Sequence, residues 1–133
     1  MNNKKSIVVA FTYILIVFCF YSCGSNSFSF DENKQELISK DVYFSCIEIR
    51  GLNNDDFFVI RRKENGCKNK VINITKISND YYITQNYNGD TLKINSIKLK
   101  RNCNYEILNR GIFDASPSKI IVYIDNDGYI KKQ

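Results

Sequence analysis

Between Asp41 and Gln133 almost no stretch holds a helical period. Short runs of β-branched and aromatic residues instead break every few residues at Asn, Asp, Gly or Ser. The runs include "VYFSCIEIR" (42–50), "FFVIRR" (57–62), "KVINITKI" (70–77), "YYITQNY" (81–87), "TLKIN" (91–95), "IKLK", "YEIL" and "IIVYI" (120–124), with "YIKKQ" closing the chain. Chains patterned this way bury one face of each strand, and strands this short need several neighbours to make a core. The expected fold is all-β: a small antiparallel β-sandwich, or a barrel, of seven to nine short strands. Asn88-Gly89 between two such runs predicts a tight hairpin. The unbroken "IIVYI" predicts a central strand buried on both faces, and "DNDG" (125–128) a hairpin turn. No internal repeat of fixed period is visible.

The first residues follow another rule. Ile7 to Tyr21 carry no charge, Lys4 and Lys5 stand just upstream, and small Ser22 precedes Cys23 and the polar "CGSNS". A spanning helix needs about 20 apolar residues, more than this run supplies. A basic start, a short apolar centre and a small-residue exit describe an export signal. An uncleaved anchor helix lengthened through Cys19 to Tyr21 is the alternative. Either way, the domain is expected to be tethered to a membrane.

Residues 1 to about 24 resemble the type II signal peptide of bacterial lipoproteins. The resemblance implies a cut before Cys23, which then becomes the lipidated N-terminus and carries two or three acyl chains such as palmitate; two or more chains hold firmly where one binds marginally. Phe20 and Tyr21 depart from the commonest pattern in the way familiar among Bacteroidota lipoproteins, which suits the Asn-, Ile- and Lys-rich composition. The expected organisation is a signal peptide over 1–22, a lipidated N-terminus and flexible linker over 23–40, and a β-rich domain over 41–133. "GSNSFSF" delays the first acid to Asp31. The resemblance then implies an outer-membrane protein facing the periplasm.

The sequence contains no His, so every His-containing triad and His-based zinc site is excluded, and no C-x-x-C pair, P-loop, dinucleotide fingerprint or nucleophile elbow appears. No catalytic residue, metal or cofactor is expected. Only carboxylates remain for chemistry, with Asp55, Asp56, Asp114 and Asp125 all in expected loops, Asp55-Asp56 as a solvated pair. Without Lys4 and Lys5 the chain has 17 basic against 14 acidic residues, a mild +3. The basic residues form two groups: "RRK" (61–63) with Lys68 and Lys70, and "KLKR" (98–101) with Lys93. Lys98 and Lys100 share one face, opposite Ile97 and Leu99. Solvated strand faces and edge protection by Lys are the simplest roles for them, and anionic headgroups or an acidic partner the functional alternative. Nucleic acid is not an expected partner of an exported domain.

Three cysteines fall within the domain, an odd number for an oxidising compartment. Cys46 shares a strand face with Val42 and Phe44 and is expected to be a free core thiol. Cys67 and Cys103 sit in polar turns, where a Cys67–Cys103 disulfide is one expectation and three reduced thiols the other. Together these features describe an envelope-tethered, non-enzymatic lipoprotein that binds an as yet unknown protein partner or serves as an accessory module. A structural envelope lipoprotein without a discrete ligand, or a carboxylate-based hydrolase, are the other readings.

Overall fold

The computed structural model describes residues 25–87, 89–111 and 117–133. The signal-peptide reading of 1–22, Cys23 and Asp114 therefore lie outside the described residues. The described chain contains ten strands: β1 (Phe28–Asp31), β2 (Glu36–Ser39), β3 (Cys46–Gly51), β4 (Phe57–Arg62), β5 (Val71–Asn73), β6 (Tyr81–Tyr87), β7 (Asp90–Ile94), β8 (Cys103–Asn109), β9 (Ser118–Ile124) and β10 (Ile130–Lys132). They form two antiparallel sheets, a small one in the order β1-β2-β5 and a large one in the order β10-β9-β8-β3-β4-β6-β7. The fold is all-β and sandwich-like.

Period-2 alternation explains the layering. Ile47 and Ile49 on β3, Phe58 and Ile60 on β4, Tyr105 and Ile107 on β8, and Val122 and Ile124 on β9 point inward and are almost completely buried. Phe28, Phe30, Leu37, Ile72 and Ile74 meet them from the small sheet and its edge. The expected hairpin is present, with Tyr87 paired to Asp90 and Gly89 at φ +87°. "DNDG" turns β9 into β10 as expected: Asp125 Oδ1 accepts from the Asp127 and Tyr129 N–H groups, and Gly128 takes φ +88°.

Three local expectations are corrected. First, residues 28–39 are a β-hairpin of the core, not a flexible linker. Apolar Phe28, Phe30 and Leu37 all face inward, and Asp31 Oδ1 caps the intervening turn by accepting from the Asn33 and Lys34 N–H groups. Asn26, just before this hairpin, is also buried, and its carbonyl accepts from Asn109 Nδ2 at 2.9 Å. Gly111 fits only as glycine beside it, because its φ is +55° and a Cβ would collide with the Asn26 side chain. Second, β9 lies one strand from an edge and has one solvent face, which leaves Ile121 exposed. Third, a bend at Ser45 resets the alternation before β3, so Phe44 and Ile47 are both buried while Cys46 turns to the outer face.

The two edges of the large sheet are treated differently. At β10, Gln35 Oε1 accepts from the Ile130 N–H, Gln35 Nε2 donates to the Ile130 carbonyl, and Glu32 Oε1 accepts from the Lys132 N–H. The turn between β1 and β2 therefore seals that edge and staples the two sheets together. The β7 edge carries exposed Thr91, Leu92 and Lys93, with Lys93 as the sort of charge that discourages edge pairing.

Candidate binding face

The register assigns Val59 and Arg61 of β4, Tyr82, Thr84 and Asn86 of β6, and Thr91 and Lys93 of β7 to the solvent side of the large sheet. Val59 lies opposite Thr84, Arg61 opposite Tyr82, Thr84 opposite Lys93 and Asn86 opposite Thr91. These seven side chains line a single open concavity of about 500 Å³. Its lining mixes short side chains (Val59, Thr84, Thr91) with long ones (Arg61, Tyr82, Lys93). On a twisted sheet, short residues flanked by long ones leave a hollow.

The hollow is positively charged. Lys93 Nζ lies 4.8 Å and Lys63 Nζ 5.3 Å from the centre of the Tyr82 ring, within cation–π range. Among the described residues, no carboxylate forms an ion pair with Arg61, Lys63 or Lys93. The nearest acid in the register is Glu48, opposite Val59, and it is already engaged. Arg50 donates to it at 2.6 Å and Arg110 at 2.9 and 3.1 Å. Burial opposes the Glu48 carboxylate, yet hydrogen bonds from Arg110 and Arg50, reinforced by their charge, hold it below the usual range. Hydroxyl and amide groups beside basic and aromatic ones suit an acidic, polar surface patch of a partner.

The two basic groups of the sequence are redistributed. Lys93 leaves the 98–101 group and joins Arg61 and Lys63 across Tyr82. Lys98 and Lys100 lie near the other end of the sheet; their alternation with half-buried Ile97 and Leu99 holds, although 97–100 is not a strand. Sequence reasoning singled out Arg61, Lys63 and Lys93 but passed over Tyr82, Thr84, Asn86 and Thr91. The available signal was strand phase: in "YYITQNY" every second residue after Tyr81 is exposed or half-exposed, and this is the concave face.

Two of the carboxylates named from sequence, Asp56 and Asp125, act as ties. Asp55 is exposed, as expected, but Asp56 is not a solvated partner for it. Asp56 Oδ2 accepts from the Tyr105 hydroxyl at 2.6 Å, and Oδ1 pairs with Lys100 Nζ at 3.0 Å. Asp125 pairs with Lys131 at 3.0 Å besides capping its turn. The Lys131 hydrogen bond and the Tyr129 N–H hold Asp125 below the usual carboxylate range. Among the described residues, no group of three or more Cys, Asp or Glu could hold a metal ion.

Cys46, Cys67 and Cys103 are all free thiols. The expected Cys67–Cys103 bridge is not formed, and the topology explains why. Cys67 follows β4 beyond Arg62, at the Cys46 end of β3; Cys103 opens β8, beyond the Gly51 end. The length of β3 separates the two turns, about 20 Å at the usual rise per residue. A disulfide needs Cα atoms within about 7 Å. Peptide mapping without reduction is expected to find all three thiols alkylated and no linked 67/103 peptide. Exposed Cys67 should react before Cys46, whose thiol is pushed up by burial against the opposing influence of Arg61. A linked 67/103 peptide would contradict the topology.

No protein-family model matches the chain, and neither the curated proteins nor the solved structures yield a match.

Proposed function

We propose that this chain is an envelope-tethered lipoprotein, lipidated at Cys23, that works as a non-enzymatic binding module. Its outer concavity on β4, β6 and β7 receives an acidic surface of a protein partner. One observation carries the reading: the concavity gathers Arg61, Lys93 and Tyr82 around short polar side chains on a solvent face of the sandwich. Interfaces favour Arg and Tyr in this role, because both present large, rigid contact area along with polar atoms. The tether supports it by keeping the module where envelope partners are concentrated.

Two measurements test the proposal. The intact mass of membrane-extracted protein should match a chain beginning at Cys23 plus acyl groups, and Cys23→Ala should leave an unacylated precursor. The mass of an unmodified chain from Met1 would end the lipoprotein reading. For the binding face, crosslinked complexes recovered from membranes should contain one stoichiometric partner with the native chain. Arg61→Glu combined with Lys93→Glu should reduce its recovery by about tenfold or more, since like charges then face the acidic patch. Equal recovery with the variant would overturn this choice of face, and no partner at all would favour a structural lipoprotein.

A further inference from the structure

The buried part of the domain reaches to within three residues of Cys23, the proposed tether. Asn26 is buried and held by Asn109, and only Gly24 and Ser25 stand between it and Cys23. Three residue steps reach at most about 10 Å. A domain anchored at Cys23 therefore keeps the Asn26 end of its sandwich within roughly a Debye length of the lipid headgroups. Without a leash, one end of the fold must face the membrane.

The register identifies that end. Ser39 is paired with Phe28, the Ser39 N–H donates to the Lys70 carbonyl, and the Phe44 N–H donates to the Asn69 carbonyl. The 63–70 turn thus lies beside the start of β1. Cys46 and Asn109 close the same end of the large sheet, since the Arg110 N–H donates to the Cys46 carbonyl. Exposed at or near this end are Lys40, Arg61, Lys68 and Lys70, with Lys63 half-buried, while Arg110 is paired with Glu48. The Arg62 guanidinium and the Lys68 ammonium both lie over Tyr43, at 5.1 and 5.2 Å. Against them stand Asp41 and Glu64, exposed, and half-exposed Asp80, which bonds to the Cys67 N–H, Asn69 and Ser78. The other end exposes Glu32, Asp55, Asp90 and Asp127 against Lys34, Lys76, Lys98 and Arg101, while Lys100 and Lys131 are paired with Asp56 and Asp125. The excess positive charge sits at the tether end.

We propose that the turn carrying Lys63, Lys68 and Lys70, together with Lys40, docks on an anionic lipid surface and fixes the orientation of the domain. The proposal rests on the tethering at Cys23 and adds a partner to it: the membrane acts as a ligand as well as an anchor point. Basic side chains this close to a charged leaflet are attracted to it, and two attachments restrict tumbling that one would leave free. The concavity then stands beside the membrane with Arg61 on its membrane side.

Cys67, exposed in the same turn, reports on the contact. The full chain is reconstituted into phosphatidylcholine vesicles with and without phosphatidylglycerol, flotation is checked, and a water-soluble maleimide is added. Labelled peptides are resolved by mass. Phosphatidylglycerol is expected to slow Cys67 labelling by about fivefold or more, and to leave a cysteine at the far end (Asp127→Cys) unaffected. Lys63→Glu, Lys68→Glu and Lys70→Glu together, or high salt, should remove the difference. A chain that floats with both vesicle types yet labels equally in both keeps the tether and ends the docking proposal. A chain that floats with neither removes the tether and the docking together. Protection that rises with protein density regardless of lipid would assign this end to contacts between copies and overturn the proposal.

Discussion

Deleting residues 25–40 is expected to leave no cooperatively folded domain. Phe28, Phe30 and Leu37 would be lost from the core, and Leu37 is completely buried. At about 1.5–3 kcal/mol for each buried side chain, the loss is roughly 5–9 kcal/mol. That rivals the whole stability of a domain this size, about 5–15 kcal/mol. The damage extends further. β5 would lose β2, its partner in the small sheet, and Phe44 the Phe28 ring packed edge-on at 6.1 Å. Asn109 Nδ2 would be buried without its acceptor. Leu37→Ala, a milder change at the middle of the small sheet, should cost about 3 kcal/mol. Circular dichroism during thermal denaturation reads both variants. A deletion variant that melts cooperatively near the native temperature would show the segment to be a leash after all.

That expectation marks a limit on what the sequence discloses. The strands after Asp41 were legible because their apolar residues alternate and their turns carry Asn-Gly or Asp-Gly, both local signals. "FSFDENKQELIS" carries the same alternation in Phe28 and Phe30, but the charged turn between its halves dominates the composition and suggests a tether. Only pairing with β5, more than thirty residues away, turns it into a sheet. Position in a sheet was equally hidden. "IIVYI" satisfies the pattern of a strand buried on both faces, and nothing local reveals that, among the described residues, no second layer covers Ile121 and Tyr123. The candidate face was half legible. Charge drew attention to Arg61, Lys63 and Lys93, but their convergence on Tyr82 depends on the order β4-β6-β7, which no single strand encodes. Cys67 and Cys103 looked alike in their polar turns, and the length of β3 keeps them apart.

Tyr105→Phe tests whether Asp56 belongs to the fold. Tyr105 is completely buried, and its hydroxyl has two partners: it donates to Asp56 Oδ2 at 2.6 Å and accepts from the Lys100 N–H at 2.8 Å. Burial, reinforced by Asp56, pushes the phenol well above its ordinary value. The phenyl ring of the variant would fill the same space but leave both partners short. The Lys100 N–H would lose its acceptor, and the Asp56 carboxylate, only 8% exposed, would keep Lys100 Nζ as its remaining side-chain partner. A bond to a charged group contributes about 1.5–3 kcal/mol, and the stranded, part-buried donor adds about 1 kcal/mol. The expected cost is about 2–4 kcal/mol, a fall in melting temperature on the order of 10 °C. Lys100→Ala should barely move the melting temperature, because its ammonium is mostly exposed and screened. The contrast between the two variants is the test. Tyr105 anchors the 97–100 segment to the β3–β4 loop from inside the core, whereas Lys100 only decorates the contact from solvent. Equal losses would mean that the ion pair holds this segment, and an undisturbed Tyr105→Phe would return Asp56 to the carboxylates available for chemistry.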